Sequence, residues 1–202
     1  MMNPSKADGN VSDDTINRCI GYCEELNDKY NMGIGNLSVV NVSPFYESQA
    51  KNVYQTMLNY LHLDQKLFYD AINRNITYIK KKLSQASFVS LGTGEKPKID
   101  VKKNDNSSLF QQLKIVQKNY VDSRKQIYRL LENYGGEIFV YWPEKSNYEL
   151  VRADHSAKHL SFWNVAPESN IHLSVAKIIH YEPTIFESSK YVIKLKYGNG
   201  KC

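Results

Sequence analysis

The hydrophobic period of this chain changes once along its length. Apolar residues recur at helical spacing through the first two thirds, then fall into short β-branched and aromatic runs in the last third. A helix offers one apolar stripe and a half-buried strand one apolar face, so each is stable only when packed against the other. Helices first and strands last predict an α+β fold: N-terminal helices packed on a C-terminal, largely antiparallel sheet.

The first helix is expected from a cap at Asp13 or Asp14 to about Asn31, with Ile16, Ile20, Cys23 and Leu26 or Asn27 on its inner face and Gly33 and Gly35 ending it. Residues 37–42 are rich in valine and read as a strand. Ser43 and Pro44 form an N-cap and first-turn pair for a second helix, whose inner face holds Ala50, Val53, Tyr54, Met57, Leu58 and Leu61. Asp64 caps a third, with Leu67, Phe68, Ala71, Ile72, Ile76 and Ile79 inward and Lys80, Lys81 and Lys82 exposed. Between residues 84 and 107 the pattern dissolves into glycine, proline and alternating charge, the mark of a surface loop insertion. From Ser108 the helical period resumes through Leu109, Leu113, Val116 and Tyr120, is interrupted at Asp122 and Ser123, and continues over Ile127, Leu130 and Leu131 to Gly135 and Gly136. Strands are expected over 138–142, 148–151, 160–165, 171–175, 177–181 and 191–197, with a hairpin turn at 143–147.

With 202 residues the chain suits one domain, so residues 1–13 read as a flexible tail and 14–202 as a single α+β domain. Its 42% hydrophobic and 23% charged residues are those of a globular protein and exclude wholesale disorder. No apolar run approaches the ~20 residues of a transmembrane helix, and residues 1–14 hold no signal-peptide core, so the reading is intracellular with no membrane partner. Three cysteines, Cys19, Cys23 and Cys202, cannot all pair within one chain and suit a reducing compartment.

Thiol chemistry needs a cysteine beside an imidazole, with a third group to orient the ring. On a strand, His180 and Glu182 point to the same face, so the carboxylate can fix the imidazole tautomer. Cys19 sits in the early turns of the first helix, where the macrodipole favours a thiolate; Cys23 reads as packing, and burial in the core is open for both. A second class is structural zinc held by Cys19, Cys23, His155 and His159, each pair at i,i+4 spacing. A third is binding without chemistry. Over residues 95–129 nine basic residues face four acidic ones, an excess of +5 that equals that of the whole chain. With Tyr120 and Tyr128 interleaved, this run offers a surface for a nucleic acid or an acidic protein. Gly92, Thr93 and Gly94 lack the further glycine of a dinucleotide fingerprint.

The C-terminal part carries a resemblance. Ile171, His172, Leu173 and Ser174, followed by His180, Tyr181 and Glu182, resemble the closing signature of the ovarian-tumour-type (OTU) cysteine proteases, a strand of the kind I-H-L-S-Y before H-Y-[DNE]. Residues 59–68 are similar to an earlier helix of that family, and residues 126–141 to its helix and strand before the signature. The resemblance implies removal of ubiquitin or a ubiquitin-like modifier by thiol attack on an isopeptide bond. His180 would be the base and Glu182 its orienter, with no metal or organic cofactor. The family's D-G-N-C nucleophile motif is met here only by Asp8, Gly9 and Asn10, followed by Val11, which cannot attack a carbonyl. The nucleophile expected is therefore Cys19; without one, the domain is an inactive relative that binds a protein or nucleic acid through the basic 95–129 surface.

Overall fold

The computed structural model describes residues 14–47, 49–94, 96–99, 107–143, 171–181 and 190–195, those from 141 onward through the backbone alone. Its helices are α1 (Asp14–Tyr30), α2 (Val53–Leu63), α3 (Gln65–Leu83) and α4 (Ser107–Glu132), with a short 3₁₀ turn at Ala50–Asn52. Its strands are β1 (Phe88–Leu91), β2 (Glu137–Pro143), β3 (Ile171–Tyr181) and β4 (Lys190–Leu195). They form one sheet in the order β1-β2-β3-β4. The fold is thus α+β, as the order of periods predicts.

The sheet, however, is mixed rather than largely antiparallel. β2 pairs antiparallel with β3, and β3 with β4, but β1 pairs parallel with β2 from Phe88↔Glu137 to Leu91↔Val140. The correction traces to residues 84–107, read as a loop, which contain β1. A parallel pair cannot be closed by a tight turn and needs a long crossover. The 26-residue α4 supplies it. Where α4 hands over to β2, Tyr134 donates its hydroxyl proton to the Ala86 carbonyl at 2.7 Å, and a Cβ on Gly136 would stand 2.7 Å from the Ser87 carbonyl oxygen. Glycine there lets the two strand starts approach.

The core lies between the α2, α3 and α4 helices and the β1–β2 half of the sheet. Tyr54, Met57, Phe68, Ile79, Val116 and Tyr120 are buried with Leu91, Ile138 and Val140. Tyr54 meets Tyr120 edge to face, with centroids 5.9 Å apart. Burial pushes the Tyr54 phenol up to about 12, with the Gln117 amide and the Arg124 guanidinium acting in the opposite direction. Asp64 caps α3 as expected, its Oδ1 accepting from the Leu67 amide at 2.9 Å. α4 runs without a break through Asp122 and Ser123, because Ser123 Oγ donates to the Asn119 carbonyl at 2.9 Å and so is satisfied inside a helix.

Other expectations are corrected by packing. Ser43 and Pro44 do not start a helix. Ser43 Oγ instead accepts from the Phe45 amide at 3.2 Å, turning the chain so that Phe45 stacks on Phe68, centroids 4.9 Å apart. Residues 37–42 join no strand ladder. Side-chain amides hold that segment and Ile34 ahead of it instead. Asn27 exchanges two hydrogen bonds with the Ile34 backbone, at 2.7 and 3.1 Å, and Asn75 donates to the Asn41 carbonyl at 3.0 Å. On α1 the buried line is Cys19, Tyr22 and Leu26, while Ile20 is 42% exposed. The helix is rolled because Tyr22 reaches the sheet, its phenol oxygen accepting from Ser90 Oγ at 3.3 Å. α1 ends at Tyr30, and Asn31 after it takes a left-handed φ of 50° ahead of Gly33.

Leu67, expected inside, is 61% exposed, whereas its neighbour Phe68 is 1% exposed. Phe68→Ala is therefore expected to lower unfolding free energy by about 3–5 kcal/mol, and Leu67→Ala by no more than about 0.5 kcal/mol. Urea titration of both variants checks the assignment; equal losses would contradict it.

A groove along the open edge of the sheet

A cavity of about 970 Å³ runs along the outer edge of β1. β1 is the terminal strand of the sheet, so one row of its backbone amides and carbonyls faces β2 and the other faces this space. Among the described residues nothing pairs with that outer row. Ile79 and Leu83 of α3 and Ile127 and Leu131 of α4 also line the cavity. α1, through Cys19, Tyr22 and Cys23, and residues 32–42 line it as well. A shallower hollow on α3, between Asp70 and Lys81, gathers residues of that helix alone.

The groove wall is held by the contacts that shaped the fold. The Asn27 and Asn75 amides satisfy backbone groups of Ile34 and Asn41 in that lining. Tyr22 with Ser90 ties α1 to the strand, and Thr93, just beyond β1, shares a hydrogen bond of 3.2 Å with Tyr128 of α4. Asn41 Oδ1 is buried without a donor among the described residues, an unmet acceptor in the wall. No carboxylate lines the groove, and Lys82 is the charged side chain there among the described residues. The lining is otherwise aliphatic, aromatic and hydroxylic. Such a site favours backbone hydrogen bonding with apolar side-chain contact.

Both described thiols reach this groove. Cys19 is 4% exposed and packs with Tyr22 and Leu26. Cys23 is half-buried, and burial, followed by the Glu24 carboxylate, raises its thiol above the ordinary 9.0, so at neutral pH it is protonated. His180 lies on β3 opposite Tyr191 of β4, past Ala176, the last β3 residue paired with β2. Its backbone is about 17 Å along the strand direction and about 10 Å across from Ser90, where Tyr22 of α1 touches the sheet. Glu182, His155 and His159 lie outside the described residues. Tyr120 and Tyr128, read as interleaved with the basic run, are 1% and 4% exposed and belong to the core. They cannot stack on a nucleobase.

No hydrogen-bonding role at the groove is read from the sequence for Asn27, Asn75, Ser90 or Thr93. Ser90 and Thr93 did carry a signal, as hydroxyl residues within and just after a short apolar run. The two asparagines carried none, because their partners are backbone groups distant in sequence.

The fold and groove define a mixed α+β protein with an open parallel edge strand. A family model described as a protein of unknown function (DUF1643) matches residues 1–135, and the chain belongs to that family. No curated protein and no solved structure matches it. The matched span contains every described residue lining the groove, from Cys19 to Leu131, whereas His180 and Glu182 fall beyond it.

Alkylation of Cys23 by iodoacetamide is expected to keep accelerating above pH 9.0. Glu24→Gln removes the secondary cause and should move the midpoint downward, leaving the part due to burial. A midpoint below that of a free cysteine, or one unmoved in Glu24→Gln, would contradict this assignment.

Proposed function

We propose that the protein binds an extended peptide segment in the groove, as a strand added to the outer edge of β1. The observation carrying this reading is the juxtaposition of a strand edge, unpaired among the described residues, with a cavity of about 970 Å³. β-Strand addition takes affinity from main-chain hydrogen bonds and specificity from pockets for alternate side chains. A four-residue edge such as Phe88–Leu91 spans about 13 Å, room for a short segment. Lys82 offers the cation for an anionic group on that segment, such as a C-terminal carboxylate.

A second reading adds chemistry to the same groove. Cys19 and Cys23 both line it, so a bound segment would pass a thiol, as the OTU-like reading requires of a protease removing ubiquitin or a related modifier. In that mechanism the thiolate attacks the isopeptide carbonyl, His180 takes the thiol proton and later gives it to the leaving amine, and Glu182 orients the ring. Two observations weigh against it. Cys19 is buried, and the Cys23 environment disfavours the thiolate. Binding without cleavage is accordingly the reading preferred.

Ubiquitin, with its extended C-terminal tail, is the probe for both. In excess it should shift the amide resonances of Val89, Ser90 and Thr93 and slow alkylation of Cys23; unmoved β1 resonances contradict strand addition to this ligand. A ubiquitin carrying a C-terminal electrophile is expected to leave the protein unlabelled. Covalent capture that is lost in Cys19→Ala would reverse the preference and make the protein a thiol protease.

A further inference from the structure

α4 carries a second surface, independent of the groove. Its buried residues Leu113, Val116, Tyr120, Ile127 and Leu131 share one side. Lys114, Lys118, Lys125 and Arg129 are all exposed. At about 100° per residue their spacings of 4, 11 and 15 residues from Lys114 place them within an arc of about 60°, diametrically opposite the buried side. At 1.5 Å per residue they extend over about 22 Å.

These cations are not spent on carboxylates. Lys114 donates to the Gln117 side chain at 3.1 Å and lies over the Phe110 ring, 5.4 Å from its centroid. Among the described residues no ion pair engages Lys118, Lys125 or Arg129. Glu132, one turn beyond Arg129, is the acid nearest in line, and Asp122 sits at the flank, half-buried. Phe110 stands at the N-terminal end of the stripe, half-buried beneath Lys114, while Tyr120 and Tyr128 face the core. A row of cations without carboxylate partners among the described residues suits a partner with regularly spaced anionic charge and no demand for base contacts.

We propose that the Lys114, Lys118, Lys125 and Arg129 face of α4 binds the phosphodiester backbone of a nucleic acid without regard to sequence. A lysine or arginine on every one or two turns can follow successive phosphates along a strand, and its long side chain absorbs the mismatch in spacing. The surface lies outside the groove lining, so this binding stands whether or not a peptide occupies β1.

The test uses the full chain and fluorescein-labelled oligonucleotides of mixed sequence, single- and double-stranded, DNA and RNA, read by anisotropy across a salt series. Each neutralised phosphate contributes about 0.9 to the salt slope on duplex DNA and about 0.7 on single strands. The variant Lys114→Gln/Lys118→Gln/Lys125→Gln/Arg129→Gln, checked for an unchanged circular dichroism spectrum, should bind at least about tenfold more weakly at low salt, with a duplex slope reduced by about 3 to 4. A control with the same loss of charge, Lys66→Gln/Arg74→Gln/Lys80→Gln/Lys81→Gln on α3, should keep most of the slope. The proposal is overturned if the wild-type chain does not bind at low salt, if the α3 variant loses as much as the α4 variant, or if poly-glutamate competes as well as the oligonucleotide, which would assign the face to acidic proteins. Comparison of the four oligonucleotides identifies which strand form supplies the phosphates.

Discussion

Parallel pairing of β1 with β2 is the constraint on which the rest of the molecule turns. Parallel strands forbid a hairpin, so the chain between them must leave the sheet, cross it and return. α4 makes that crossing. In doing so it brings Val116, Tyr120 and Ile127 onto the core, meets α2 through the Tyr54–Tyr120 contact, and turns its far side to solvent. It also leaves β1 at the end of the sheet with one row of backbone groups unpaired among the described residues. Buried or half-buried peptide groups without partners are costly, so an open edge beside a cavity is a feature that calls for an occupant.

The groove depends on a small set of side-chain to backbone bonds. Residues 37–42 have the composition of a strand and line the same cavity as β1. Asn75 satisfies the Asn41 carbonyl within that segment, and Asn27 holds the Ile34 backbone just ahead of it. Tyr22 and Ser90 set the position of α1 against β1. Site and fold are therefore two consequences of the same hydrogen-bond choices.

Long elements with strong periodicity were legible in the sequence. α1, α3 and α4 were visible through their apolar spacing, the Asp64 cap through its residue type, and β2 through its aromatic and β-branched run. What was not legible was short or decided at a distance. β1 has four residues and lay in a stretch dominated by glycine, proline and charge, so local composition outweighed its pattern. The roll of α1 is set by Tyr22 meeting Ser90, 68 residues away, and no periodicity records such a partner. Ser43 and Pro44 satisfy the rules of a helix start, yet the stacking of Phe45 on Phe68 decides the local path. At the site, Cys19 and Cys23 were singled out from the sequence and do line the groove, but the hydrogen-bonding residues that build it were not foreseen.

The groove exists only while β1 keeps one edge free, and hydrogen exchange on the unliganded chain tests this most directly. Within residues 88–91 the amides directed at β2 should exchange slowly and those directed at the groove rapidly, giving a two-residue alternation. Uniform slow exchange across all four would mean that another strand already occupies the edge, and the groove would not exist in solution.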